Sequence, residues 1–182
     1  MTDQHADVLD FWFRELGPPD WFGEGATLDP VVRARFGEVH RKAVAGELDH
    51  WAETPLGRLA LIIVLDQFSR HIHRGSAEAF AADAKALQLT LDGLAAQEDE
   101  QLALSQRHFF YMPLMHAESA PMQQRSLERF AALKAFAENI LHFAQEHSEE
   151  IARFGRFPLR NAALDRKSSA EERAWLETAQ PR

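Results

Sequence analysis

The side chains best suited to chemistry follow directly after an apolar stretch. The chain is apolar throughout Leu59–Leu65, and Asp66, Arg70 and His73 then come at spacings of four and three residues. On a helix, these spacings place a carboxylate, a guanidinium and an imidazole on one face. Charges on a buried helix need partners. The pattern therefore predicts either an ion pair that ties helices together or one wall of a polar cleft.

A second set of titratable side chains surrounds Pro113, in the segment 107–118. Irregular backbone next to a proline often displays binding residues. Histidines near aromatic residues are more often satisfied core groups, and the alternative hypothesis is that His116 is a general acid–base whose ring Glu118 orients. The segment adds two further candidate binding residues, Arg107 and Tyr111.

The third set is a basic segment in an acidic protein. It carries five cations against one carboxylate, a formal charge of +4, from Arg153, Arg156, Arg160, Arg166, Lys167 and Asp165. Arginine forks suit phosphate or carboxylate groups. A solvated basic loop is the simpler interpretation, but Phe157 and Pro158 between the arginines favour a segment that packs against the body of the protein.

Helices must position these three sets. Thr54 can cap a helix that begins at Pro55, and Gly75 offers a stop, so we predict a central buried helix over about 55–73. The apolar periodicity predicts further helices, and no strand is needed. They cover about 3–16, the stretch from Asp29 to Gly46, 77–95 with Phe80 in its buried stripe, 98–111 kinked or ended by Pro113, 121–154 split in two near Asn139, and a last helix capped by Ser169 and Glu172.

Composition excludes several classes of protein. The chain has 182 residues and no cysteine, so disulfides, thiolate nucleophiles and cysteine-ligated metals are absent. The net charge of −8 disfavours nucleic-acid binding, and no apolar run is long enough for a membrane span. The N-terminus is acidic, which is unlike an export signal. We expect one soluble, cytoplasmic domain over 1–182.

Known catalytic motifs give little help. The chain has no phosphate-binding glycine loop, no Gly-x-Ser-x-Gly elbow and no His-Glu-x-x-His helix. The pairs His71-x-His73 and His116-x-Glu118 are poor metal sites, because a spacing of two residues splays side chains apart on a helix. We therefore predict no metal site, and the sequence identifies no cofactor.

Several short motifs together resemble the bacterial DUF924 family over nearly the whole chain. They are Asp10-Phe-Trp-Phe13, Leu65-Asp-Gln-Phe-Ser-Arg70, Phe80-Ala-Ala-Asp83, Met112-Pro-Leu-Met-His116-Ala-Glu118 and Arg153-Phe-Gly-Arg-Phe-Pro158. The resemblance implies an all-α array of about eight antiparallel-paired helices, similar to tetratricopeptide-like superhelices. It also marks polar positions in this chain, namely Asp66, Gln67, Arg70, Arg74, His116, Glu118, His147, Arg153, Arg156, Arg160 and Asn161. Leu159 and Asp165 depart from the family pattern.

Three functional hypotheses follow. The first is a pocket for a small phosphate- or carboxylate-bearing ligand, formed where the central helix meets segments 107–118 and 153–161. Its binding residues would be Asp66, Gln67, Arg70, Arg74, Arg107, Tyr111, Arg156, Arg160 and Asn161. The second is a hydrolase or transferase in which His116 and Glu118 do acid–base chemistry and arginines stabilise developing negative charge. The third is a helical scaffold that binds a partner peptide.

Overall fold

The computed structural model describes residues 4–22 and 27–178, and all regular secondary structure in these ranges is helical. The predicted all-α class is therefore confirmed. The first helices are α1 (Gln4–Asp10), which continues as a π-helical turn over Phe11–Glu15, then α2 (Pro18–Phe22) and α3 (Asp29–Val44). Next come α4 (Pro55–Ile63), a second π-helical turn (Val64–Phe68) and α5 (Ser69–Ile72). They are followed by α6 (Asp83–Ala95), α7 (Leu104–His116), α8 (Ala120–Phe154) and α9 (Ala170–Leu176).

The central helix forms as predicted. Thr54 caps it through a hydrogen bond from the Gly57 N–H to its hydroxyl at 3.1 Å, and Pro55 takes the first helical position. The segments α4 and α5 join through the second π-helical turn into one rod. Counted in this way, the described residues form eight helices. The tetratricopeptide-like superhelix stays a prediction.

The chain divides into two compact units, one over 1–133 and the other over 134–182. The boundary falls within α8, after Leu133. The single domain over 1–182 stays a prediction.

The core of the first unit surrounds the central helix. Every residue of Leu59–Leu65 is at most 1% exposed. Aromatic rings close the core around them, with Phe36 and Phe68 at 4.9 Å between centroids and Trp12 and Phe109 at 5.3 Å. A run that is apolar on all sides is stable only when neighbours cover it completely, which is the situation here.

Gly93 lets α6 approach α7 closely. A Cβ atom on Gly93 would lie 2.5 Å from Cζ of Phe110, which is a fully buried ring. On the same side, the Thr90 hydroxyl lies 3.0 Å from the Phe110 carbonyl oxygen and donates towards it. These two contacts fix the register of α6 and α7, the helices that flank the site described below.

Three predictions about the helices are wrong. The helix predicted over 98–111, which Pro113 was expected to kink or end, begins instead at Leu104 and continues through Pro113 to His116. The segment predicted as two helices over 121–154 is one continuous helix. The predicted break near Asn139 is not needed, because the apolar side chains there are mostly exposed and need not share one buried face. Phe80 belongs to a short 3-10 turn (Ala77–Phe80) and is 60% exposed instead of buried.

In the second unit, α9 packs against the end of α8. The rings of Phe154 and Trp175 lie 5.4 Å apart. The predicted capping box is present, since the Ser169 hydroxyl accepts from the Glu172 N–H at 3.1 Å and the Glu172 carboxylate accepts from the Ser169 N–H at 2.6 Å. Within the part of the chain described, no helix has the length and apolar character to cross a membrane.

Candidate functional site

A cleft of about 730 Å³ opens in the first unit. The second π-helical turn, α5, the start of α6, the end of α7 and the residues leading into α8 surround it. Its lining combines apolar and charged side chains, namely Asp66, Arg70, Phe80, Asp83, Ala84, Leu87, Pro113, His116, Ala117, Glu118 and Ser119. A volume of this size is typical of small-molecule sites.

The π-helical turn over Val64–Phe68 places Asp66 in the cleft wall. A π turn widens the helix and leaves carbonyl groups that need other donors. Here the Ser69 hydroxyl donates to the Leu65 carbonyl at 2.5 Å, and His40 on α3 bonds the same hydroxyl through Nε2 at 2.8 Å. Such turns often occur at functional sites, because they redirect one side chain without breaking the helix.

Asp66 and His116 form the central pair of the site. Oδ1 of Asp66 lies 2.7 Å from Nδ1 of His116, and Asp66 is 1% exposed. Arg70 approaches the same Oδ1 at 3.2 Å, while the Gln67 amide donates to Oδ2 at 2.5 Å. An ionised carboxylate can only accept hydrogen bonds. In a neutral His116 ring, the contact with Asp66 favours the tautomer with the proton on Nδ1, which leaves Nε2 as a proton acceptor.

Arg70 is held from two sides. Its guanidinium donates to both oxygens of Asp83 on α6, at 2.9 and 3.0 Å, and to the Asp66 backbone carbonyl at 2.7 Å. A bidentate pair of this kind fixes the plane of the guanidinium. The prediction that Asp66 and Arg70 are mostly buried and bonded to other parts of the chain is confirmed, since Arg70 keeps only 23% of its side chain exposed.

Glu118 does not have the predicted role of orienting His116. It lies at the rim of the cleft, exposed, and makes no hydrogen bond or ion pair with the described residues. Asp66, and not Glu118, orients the ring of His116. Proximity in sequence suggested Glu118, but α7 ends at His116 and the partner of the imidazole Nδ1 is Asp66.

The other predicted residues of the first unit do not line the cleft. Arg74 pairs with Asp29 at 2.5 and 2.7 Å, and these bonds, together with His71, lower the pKa of Asp29. Arg107 donates to two backbone carbonyls, at 2.8 and 2.9 Å. The Tyr111 hydroxyl donates to Asp99 at 2.6 Å, and burial raises the Tyr111 pKa. These three side chains tie neighbouring segments together.

The basic segment belongs to the second unit. Arg156 donates to both oxygens of Glu172, at 2.6 and 2.7 Å, and these bonds lower the pKa of Glu172 to about 2. Asn161 is buried and donates to the Ser168 hydroxyl at 3.0 Å. The exposed Arg160 lies over the Phe157 ring, 4.4 Å from its centroid. The first-unit cleft has none of these residues in its lining.

Among the cleft residues missing from the predicted site, two contact Arg70. Asp83 pairs with Arg70, and the Phe80 ring lies 5.5 Å below the Arg70 guanidinium carbon. Both belong to the Phe80-Ala-Ala-Asp83 motif, so the family resemblance carried the signal that single-residue reasoning overlooked. Over the described ranges, no three His, Asp or Glu side chains are grouped closely enough to hold a metal ion.

Comparisons with known proteins agree with this fold. A family model described as a bacterial protein of unknown function, DUF924, matches residues 8–180. A solved structure of a protein of unknown function from Agrobacterium tumefaciens is 38% identical and covers 97% of this chain and 98% of its own, with a TM-score of 0.67. A search of curated proteins found no match. The family model spans most of the sequence, and the chain therefore belongs to the bacterial DUF924 family.

Proposed function

We propose that the protein is a hydrolase or transferase in which His116 is the general acid–base and Asp66 orients it. The observation that carries the proposal is the 2.7 Å contact between the buried Asp66 carboxylate and Nδ1 of His116, in a cleft large enough for a substrate. A carboxylate on one ring nitrogen selects the tautomer whose other nitrogen accepts a proton.

In the proposed reaction, Nε2 of His116 takes a proton from water, or from the hydroxyl of a second substrate. The oxygen forms a bond to an electrophilic centre of the bound substrate as that proton leaves. The imidazolium then gives the proton to the departing group, so that the ring ends neutral and the products contain all atoms of both reactants. Asp66 stabilises the transient imidazolium, since its negative charge lies against Nδ1.

Arg70 supports this chemistry from the same cleft. It is the only lysine or arginine among the described residues that line the cleft. Because Asp83 and the Asp66 carbonyl fix its guanidinium, Arg70 helps to hold the Asp66 carboxylate in place beside His116. Arg156 and Arg160 lie in the second unit and have no part in this proposal.

The experiment that tests the proposal is a screen of chromogenic esters, amides and phosphate esters with purified wild type and His116→Gln. General acid–base catalysis contributes roughly 10²–10⁴-fold, so any turnover should fall by at least about 100-fold in the variant. His142→Gln is the matched control, because His142 lies on α8 with 64% of its side chain exposed. Turnover that survives in His116→Gln, or no turnover of any substrate class, would count against the proposal.

The two other hypotheses stay predictions. A small anion would have to compete with carboxylates already bound to Arg70, Arg74 and Arg156. A scaffold for a partner peptide would use exposed apolar side chains, and in the second unit α8 carries several of them, namely Phe136, Ile140, Leu141 and Phe143. Both hypotheses are less specific than the acid–base proposal, which the contact between Asp66 and His116 supports.

A further inference from the structure

The charges in the cleft indicate what kind of substrate it can take. Three carboxylates and one guanidinium line it, which leaves a formal charge of −2 while His116 is neutral. The guanidinium of Arg70 is bound by two of these carboxylates. The third, Glu118, is exposed and has no partner among the described residues. The charged group open to a ligand is therefore negative.

The cleft lining also includes apolar side chains and an aromatic ring. Phe80 is 60% exposed even though it lines a cleft, and Leu87 and Pro113 lie in the same lining. The guanidinium carbon of Arg70 lies 5.5 Å from the Phe80 centroid. An open aromatic face can take an apolar group or a second cation, both of which an aromatic ring attracts.

We propose that the substrate is a small molecule that carries a protonated amine or guanidine on an apolar or aromatic body. Its cation would bind Glu118, and its body would lie against Phe80 and Leu87, which brings the reacting bond towards Nε2 of His116. The inference rests on the proposed function, because it names the substrate class of the same cleft. Glu118 becomes the specificity-determining residue, and not the group that orients His116.

An anionic substrate fits this cleft poorly. To reach Arg70, it would have to displace Asp83, which holds the guanidinium by two hydrogen bonds at 2.9 and 3.0 Å. It would also lie near Glu118, whose like charge would repel it. The overall net charge of −8 adds a weak field that favours cations at the surface.

Three probes of equal size and different charge test the inference: benzylammonium, benzyl alcohol and benzoate. Titrations followed by NMR of the full-length protein should show benzylammonium binding at least about tenfold more tightly than either of the others. Glu118→Gln should reduce that preference about tenfold, and Glu118→Lys should turn it towards benzoate. Glu53→Gln is the control, because it removes one exposed carboxylate outside the cleft.

One further variant separates this inference from the catalytic proposal. His116→Gln should keep the preference for benzylammonium within about threefold, since the cation binds Glu118 and not the imidazole. If the wild type binds benzylammonium with this preference but turns over no substrate of any class, the catalytic proposal alone is rejected. Equal binding of the three probes, tighter binding of benzoate, undetectable binding of benzylammonium, or a preference unchanged in Glu118→Gln would overturn the inference.

Discussion

Replacing Asp66 by alanine removes the group on which the site depends. In the folded protein this carboxylate is 1% exposed and bonds His116, Gln67 and Arg70. Breaking a buried ion pair from one side costs about 3–5 kcal/mol when the remaining charge is stranded. Arg70 is not fully stranded, because it keeps both hydrogen bonds to Asp83 and 23% of its side chain is exposed. We therefore expect Asp66→Ala to lower the free energy of unfolding by about 2–3 kcal/mol.

Urea melts followed by tryptophan fluorescence can measure this loss of stability in the first unit, which contains Asp66. Trp12, Trp21 and Trp51 belong to the first unit, and Trp175 belongs to the second. In a Trp175→Phe background, the signal therefore reports the unfolding of the first unit. In thermal melts of Asp66→Ala in the same background, the melting temperature should fall by about 5–10 °C, since 1 kcal/mol corresponds to about 2–4 °C in a protein of this size.

A double-mutant cycle shows whether the loss comes from the ion pair. Asp66→Ala with Arg70→Ala should cost less than the sum of the two single changes, because the second change removes the cation that the first leaves with fewer partners. Asp83→Ala is the matched control and should cost about 1 kcal/mol or less, since 27% of that side chain is exposed and Arg70 retains Asp66. A loss below about 1 kcal/mol in Asp66→Ala would refute the reasoning, because it would mean that the buried network contributes little.

Three further changes test other parts of the structure. Gly93→Ala should destabilise the first unit by about 1–3 kcal/mol in a urea melt, because its methyl group would lie 2.5 Å from the Phe110 ring. Lowering the pH from about 7 to 5 should lower the free energy of unfolding of the same unit. Burial holds the pKa of His40 below its ordinary 6.5, so the unfolded state binds more protons than the folded state in this range. In His40→Asn, urea melts should show a free energy of unfolding that depends less on pH. The hydrogen bonds from Arg156 lower the pKa of Glu172 from 4.5 to about 2, so the Glu172 carboxylate stabilises the fold above pH 4.5 and this stabilisation is lost as the pH falls towards 2. Acid unfolding followed by circular dichroism should show a smaller loss of stability in Arg156→Gln.

Local sequence signals predict the central helix well. The cap at Thr54, the proline after it and the uninterrupted apolar run are short-range features, and the structure confirms each of them. The π-helical turn within this helix could not be predicted in the same way. It depends on the Ser69 hydroxyl and on His40, which comes from another helix 29 residues earlier.

Partners of the charged residues were harder to predict than the residues themselves. Asp66 and His116 are 50 positions apart, and only the packing of α7 against the central helix brings them together. Glu118 was the wrong partner for His116, because two residues close in sequence need not be close in space when a helix ends between them. Long-range pairs of this kind depend on tertiary contacts, which spacing and periodicity do not contain.

The tautomer of His116 tests the central claim most directly. Long-range ¹H–¹⁵N NMR, at a pH where the ring is neutral, distinguishes a proton on Nδ1 from one on Nε2, and His116→Gln identifies the signal. The Asp66 pair predicts a neutral ring with its proton on Nδ1 in the wild type, and loss of that preference in Asp66→Ala. A wild-type ring that carries its proton on Nε2 would contradict the account, since Nδ1 could not then donate to Asp66 and Nε2 could not accept a proton from a substrate.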